Sequence, residues 1–474
     1  MMVHRKRSLA ALAVLTPLAA CPLTSRADLS SVPGLTTEQT AVARGLEQTC
    51  GALGSAATAG TPLTAEQQDL LNTCTAIDAT YSGGSDLAGL QQALNAISGR
   101  QTTATARLPM QFATGQIANI GARLAAVRGG ERGFSVSGLD LGLLGGTPGA
   151  TAPLADLSHG AIGGGAGDDT GSLLGDRLGI FLTGTLRRGT EDTTDAEQGF
   201  DLRNTGATLG VDYRFGDSSI FGIAGGYSKS RAEFDDSAGR LDSRQWSLSL
   251  YGSYFRDLFH IDWLVGYGQY DYHITRNLNF DVNFDGGPAS IGCTASSCST
   301  QTSGSTGAHE YTASLASGLD LHAGGLAYGP LGEVEYKQVG VNAYTESGPS
   351  GLDLHLGAIT TNSLTAKLGG YASWALNTRW FVMVPQVQVR YLHEFLNDPR
   401  TQQVEFAADT LPGAQNRAYA VFTNPPTRNY FDWKAGLLFQ FARGFAAFVD
   451  YRQSIGLTGI SNRELNVGLR MEDR

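Results

Sequence analysis

The sequence predicts a mainly β chain: a 12-stranded antiparallel transmembrane β-barrel with an α-helix in the pore, preceded by a small α-helical N-terminal region. Three observations carry that prediction. Twelve runs after residue 176 alternate apolar and polar side chains with period two. The connections between these runs are long and short in turn. Beyond the N-terminal leader, no apolar run approaches the roughly 18 to 20 residues that a spanning helix needs, so any crossing is made by strands.

The strands come first. In RNYFDWKAGLLFQFARG, Phe431, Trp433, Ala435, Leu437, Phe439 and Phe441 share one face, and Asp432, Lys434 and Gln440 the other. Trp246, Leu248, Leu250 and Tyr254 alternate in the same way, as do Leu465, Val467 and Leu469. The runs start near residues 177, 205, 219, 241, 258, 308, 325, 362, 379, 430, 444 and 460. Connections after odd runs are long, as at 187–204, 277–307 and 396–429. Connections after even runs are tight, as at Arg256-Asp257 and Asn377-Thr378. A membrane barrel has short periplasmic turns and long outer loops, whereas a soluble sandwich has no reason to sort them. Trp246, Phe431, Trp433, Leu437, Phe439, Phe441, Leu465, Val467 and Leu469 are therefore predicted to face lipid, with aromatics at the interfaces, while Asp432, Lys434 and Gln440 face a wet lumen.

Composition narrows the partners. Only 16% of residues are charged, the formal net charge is -10, and basic residues cluster only at the N-terminus. That argues against a nucleic-acid partner. Arg5, Lys6 and Arg7 before an apolar Ser8–Ala20 read as an export signal over residues 1–27. Two cleavage sites compete. Leu18-Ala19-Ala20-Cys21 reads as a lipoprotein box with Cys21 acylated, and Ser25-Arg26-Ala27 as an ordinary peptidase site. Setting Cys21 aside leaves Cys50, Cys74, Cys293 and Cys298. An exported chain pairs them, most simply Cys50–Cys74 and Cys293–Cys298, although four cysteines allow three connectivities.

Residues 28–104 read as a small helical bundle. Thr36-x-x-Gln39 and Thr64-x-x-Gln67 are capping boxes, and Val42, Leu46, Cys50 and Leu53 share one helical face. Residues 105–130 hold a further helix, with Pro109 at its first position and Gly129-Gly130 as its stop. Its twenty or so residues reach about 30 Å, a bilayer's hydrocarbon thickness. Its small residues make it slim, and Arg123 and Arg128 suit a polar channel. Ile117, Ile120, Arg123, Leu124 and Arg128 are its pore candidates, and a fourth surface helix of the bundle is the other reading. Residues 131–176, rich in Gly, Ala and Asp, read as a linker, and 177–474 as the barrel.

GATLGVDYRF, FGIAGGYSKSRAEFD, WSLSLYGSYF, IDWLVGYGQYDYHITR and the closing LNVGLR together resemble the C-terminal translocator barrel of autotransporters, the type V secretion proteins. The likeness covers about residues 105–474. It implies a twelve-stranded barrel with an α-helix through its pore, placed in the bacterial outer membrane by the barrel assembly machinery. Two departures stand out. The chain ends Met471-Glu472-Asp473-Arg474, where such barrels typically end in an aromatic residue. The region before the barrel is too short for a long β-helical passenger. No Asn-Asn pair of the kind some members cleave lies in the pore segment, so the N-terminal part is expected to stay attached.

Little else suggests chemistry. Gly216-Asp217-Ser218 reads as a turn rather than a nucleophile motif. His309-Glu310 and His393-Glu394, near the barrel's outer rim, carry a rim-hydrolase alternative. The sequence thus predicts a monomeric outer-membrane protein in the lipid bilayer, with no cofactor and no catalysis. It anchors or exports a short helical module whose surface ligand is not legible. The competing readings are a helix-plugged pore for small solutes and the rim hydrolase.

Overall fold

Wherever side chains alternate with period two, the backbone is extended and paired. The structure, a computed structural model, describes residues 28–81, 86–128, 134–142, 177–284, 290–396, 398–441, 445–456 and 463–472. The helices are α1 (Thr37–Thr58), α2 (Ala65–Tyr81), α3 (Leu87–Ile97) and α4 (Ala104–Arg128). The strands begin with β1 (Phe134–Gly142), β2 (Leu178–Glu191), β3 (Phe200–Phe215), β4 (Ser219–Phe234), β5 (Gly239–Arg256), β6 (Phe259–Asp281) and β7 (Ser297–Leu319). They continue with β8 (Leu321–Ala323), β9 (Leu326–Val341), β10 (Tyr344–Thr345), β11 (Leu354–Leu356), β12 (Ile359–Trp374) and β13 (Leu376–Asn377). The last are β14 (Phe381–Glu394), β15 (Thr401–Phe406), β16 (Tyr419–Phe422), β17 (Asn429–Phe441), β18 (Phe445–Ile455) and β19 (Arg463–Glu472).

The chain is a mainly antiparallel sheet with a helical N-terminal region. Among the described residues the main sheet has 15 strands, against the twelve expected. The short β8 and β13 extend the turns. β1 lies inside the stretch expected to be a linker, and it pairs parallel with β2 and antiparallel with β19. Its alternating Phe134, Val136 and its Gly-rich company hid a strand signal. From β2 onward each long strand pairs antiparallel with the next, and β12 joins both β9 and β14. The rest of the linker and the leader with Cys21 lie outside the described residues.

Call inner the sheet face that carries α4, and outer the other. On β6 the outer positions Phe259, Ile261, Trp263, Val265 and Tyr267 are apolar, and Gln269, Asp271 and His273 follow them. At about 3.3 Å per residue and a tilt near 40°, the Phe259–Tyr267 stretch stands roughly 20 Å high, close to the apolar band of a membrane barrel. Past Tyr267 the faces exchange character. Tyr270, Tyr272, Ile274, Leu278 and Phe280 now bury themselves inward, while Asp271, Asn279 and Asp281 point out. Alternation therefore persists beyond the band with its apolar side reversed. That is why β6 and β7 run longer than predicted and the connection expected over 277–307 is shorter, lying between Asp281 and Ser297.

The inward apolar ends face the helices. One core holds Val42, Leu46, Leu90, Leu94 and Ile97 from α1 and α3, Leu278 and Phe280 from β6, and Leu354, Leu356, Val404, Phe406 and Val421 from the long connections. These connections form a second, four-stranded sheet, β10-β11-β15-β16. Both capping boxes form, with Thr36 and Gln39 bonded at 3.0 and 3.2 Å and Thr64 and Gln67 at 2.9 and 3.2 Å. The Cys50–Cys74 disulfide ties α1 to α2, and Cys293–Cys298 closes a small loop beside α2.

Candidate functional site on the inner face of the sheet

α4 runs along the inner face from the long-connection end to the short-turn end. At its start Arg107 pairs with Glu191 at the far end of β2 and with Glu197 in the connection that follows. At its finish Arg128 reaches Asp262 at 2.5 Å, near the Asp257 turn. The helix begins at Ala104, so Pro109 lies inside it rather than at its first position. A proline there offers no N–H to the carbonyl of Thr105. The Tyr272 hydroxyl donates to that carbonyl at 3.0 Å and removes the penalty.

The helix is fixed by both greasy and polar contacts. Ile120, Leu124 and Val127 bury against Phe181, Ile220, Tyr251 and Leu264, with Ile117 half-buried beside them. The Arg123 guanidinium donates to both carboxylate oxygens of Asp212, at 2.7 and 3.1 Å, with both side chains nearly sealed from solvent. Asn119 donates to Thr208 at 2.9 Å, and Lys337 to Thr114 at 2.8 Å. A planar bidentate pair of this kind fixes angle as well as distance. Sequence reasoning named Arg123 and Arg128 but not Asp212, Asp262 or Lys337, because which strand meets which helix turn leaves no local mark.

Beside Ile117, Gly121 and Leu124 of α4 lies a small cavity of about 70 Å³ edged by Glu333, Glu335, Lys367 and Arg390. Lys367 bonds Glu335 and lies 3.3 Å from Glu333, while Arg390 sits 3.7 Å from both Glu333 and Asp432. This charged row can hold water or a hydrated chain against the wall, which an apolar row could not.

Most of the residues expected to face lipid lie on described strands of the outer face. Trp246, Phe431, Leu437 and Phe441 are exposed, and Trp433 and Phe439 are half-buried among neighbours such as Tyr451 and Phe381. Leu465, Val467 and Leu469 lie in register with Tyr451, Val449 and Ala447; their side chains lie outside the described set. In neither His-Glu pair do the two side chains meet. His309 points outward against Tyr311, and Glu310 points inward to Tyr270 and Thr312. His393 bonds Asn429 at 2.6 Å, while Glu394 is taken up by Ser363, Thr365 and the Leu364 N–H. Adjacent strand residues lie on opposite faces, so the sequence pairs were never pairs in space. Gly216 has φ 63° and makes the tight β3–β4 turn.

A family model described as the autotransporter beta-domain matches residues 180–452. The translocator domain of the autotransporter NalP from Neisseria meningitidis is 17% identical, over 62% of this chain and 88% of that one, with a TM-score of 0.44. The β domain of the Bordetella autotransporter BrkA is 16% identical over 63% of this chain and 100% of its own, with a TM-score of 0.39. For the transport unit of AIDA-I from Escherichia coli the values are 14%, 63%, 91% and 0.37. No curated protein matches the sequence. With the family match spanning more than half its length, the chain belongs to the autotransporter β-domain family, proteins of the Gram-negative outer membrane.

Proposed function

We propose that the main sheet closes as a barrel in the outer membrane, that α4 fills its pore, and that α1–α3 stand at the cell surface as a resident cap. The protein displays this cap and performs no catalysis. One observation carries the reading: the apolar face of β6 switches from outward to inward just past Tyr267, where the helices begin. A strand greasy toward lipid below that level and greasy toward a protein core above it is leaving a bilayer. The pairing of each long strand with two neighbours supports closure, since hydrocarbon tolerates no free edge. The long connections, which outer-membrane barrels turn outward, lie at the cap's end. A solute pore fits less well. Arg123, Arg128 and Arg107 bolt α4 in place, and the cap covers the end that a solute would enter.

The test uses cysteines introduced one at a time in intact cells, with a membrane-impermeant maleimide. Ala59→Cys, in the exposed α1–α2 turn, labels at once. Asp257→Cys, in a short turn, labels only after the outer membrane is opened. Labelling of Ala59→Cys only after opening would place the helical region in the periplasm and end the display reading.

A further inference from the structure

Just past the apolar band, the outer face of β2 to β5 changes abruptly. Tyr227 lies opposite Trp246 at the band's edge, and one step beyond it Lys229 lies opposite Arg244. One step further, Arg188, Arg203 and Arg231 stand side by side on β2, β3 and β4. All five cations are exposed. Strands lie about 4.8 Å apart and same-face neighbours about 6.7 Å, so the five occupy a patch of roughly 15 by 7 Å.

Like charges directly opposite one another destabilise a sheet unless something lies between them. The acids in these two rows are Asp242 and Asp271, both at the β5–β6 edge. Asp242 serves Arg231 at 2.7 Å and Arg240 at 3.3 Å. Asp201 and Glu233 lie one row further out, in register with each other and with Arg240. Among the described residues, Arg188, Arg203, Lys229 and Arg244 have no ion pair. The same level on β14 and β17 is different: Tyr391 faces Phe431 and His393 faces Asn429. Those two pairs on β14 and β17 carry no arginine or lysine. Immediately below it the wall exposes Leu209, Ile223, Leu248 and Leu250.

We infer that this patch binds the phosphorylated headgroup of an outer-leaflet glycolipid, whose acyl chains lie along those four aliphatic residues. The inference rests on the outer-membrane barrel reading. Unneutralised arginines select phosphate, which their forked donors match, and the apolar wall beneath selects a lipid over a free anion. The aromatic pair Tyr227–Trp246 marks the depth at which headgroup gives way to chain.

The test compares the full chain, purified in detergent, with the triple variant Arg188→Ser/Arg203→Ser/Lys229→Ser. Arg231 is left alone because it holds Asp242. The probes are a phosphorylated glycolipid, the same lipid after enzymatic dephosphorylation, and inorganic phosphate. The wild type should hold the phosphorylated lipid about a hundredfold more tightly than the variant. The dephosphorylated lipid should bind both equally weakly, and millimolar phosphate should not displace the intact lipid. Arg188→Lys/Arg203→Lys keeps the charge but loses both forks, so it should bind the phosphorylated lipid more weakly than the wild type and more tightly than the triple variant. Equal affinity of wild type and triple variant for the phosphorylated lipid overturns the inference. So does displacement by phosphate alone, which would assign a free-anion site. Heat-modifiable migration is read on both proteins. If both show it and bind alike, only the lipid site falls, and if neither shows it, the barrel reading falls first.

Discussion

Arg276 is the strongest single test of the cap. It sits on β6 beyond the band, fully buried, and joins three parts of the chain. Its guanidinium donates to Glu346 at 2.5 and 3.0 Å, to the carbonyl of Ala96 on α3 at 3.0 Å, and to that of Leu352 at 3.0 Å. Among the described residues, Arg276→Ala leaves the buried Glu346 carboxylate with the Leu354 N–H at 3.0 Å as its remaining donor. Breaking one side of a buried ion pair costs about 3 to 5 kcal/mol, and two orphaned carbonyls add about 1 kcal/mol each. The sum, roughly 5 to 7 kcal/mol, rivals the whole stability of a small domain. The cap should therefore open while the membrane wall stays folded. Hydrogen exchange of the α1 and α3 amides reads this directly: about 5 kcal/mol corresponds to a loss of protection of more than a thousandfold. The double variant Arg276→Met/Glu346→Leu removes both charges at similar volume and should recover most of that protection. Wild-type protection in Arg276→Ala, or a double variant as open as the single one, would refute the shared core.

Three further outcomes follow from the geometry. Burial leaves both Glu38 carboxylate oxygens without a hydrogen bond among the described residues and pushes its pKa up to about 8, with Arg100 opposing and Glu197 and Asp195 adding to the rise. The unfolded group ionises near pH 4.3, so cap stability falls as pH rises from about 5 to 8, by at most about 1.4 kcal/mol per unit, and levels above that. Glu38→Gln should remove most of this slope in exchange measured against pH, and an unchanged slope counts against it. A Cβ on Gly45 would stand 2.7 Å from the Tyr419 ring, so Gly45→Val should cost about 1 to 3 kcal/mol in chemical unfolding of the cap, and an unchanged midpoint would mean that the ring gives way freely. Arg123→Ala strands a buried Asp212 beneath α4, and planar-bilayer recordings should show openings absent from the wild type; an equally silent variant would mean that the pair does not hold the plug.

The band-spanning strands were legible because lipid imposes one rule on every residue, and β17 shows it from Phe431 to Phe441. The cap's partners were not. Leu354-His355-Leu356 is too short to read as a strand, yet both leucines are fully buried beneath the helices. Beyond Tyr267 the alternation continued while its meaning inverted, so Leu278 and Phe280 looked like loop residues. Pro109 read as a helix start because its remedy, the Tyr272 hydroxyl, comes from 167 residues away from Thr105. Arg123 advertised a polar setting, but Asp212 advertised only an inward strand position. Local pattern reports which face a residue occupies, and tertiary pairing decides with whom.

The way the core is divided constrains how the cap reaches its place. α1 and α3 supply Val42, Leu46, Leu90 and Leu94, and the long connections supply Leu354, Val404, Phe406 and Val421, but neither set encloses the other. A helical bundle of this size buries too little on its own to be stable, even with the Cys50–Cys74 staple. Its missing surface exists only at the long-connection end of the sheet. On the display reading, the segment therefore crosses before its core forms and folds against loops that are themselves incomplete without it. The length of α4 agrees. Its 25 residues reach about 37 Å, further than the roughly 20 Å band, which is what a tether needs to join a cap beyond one edge to the Asp262 anchor at the other.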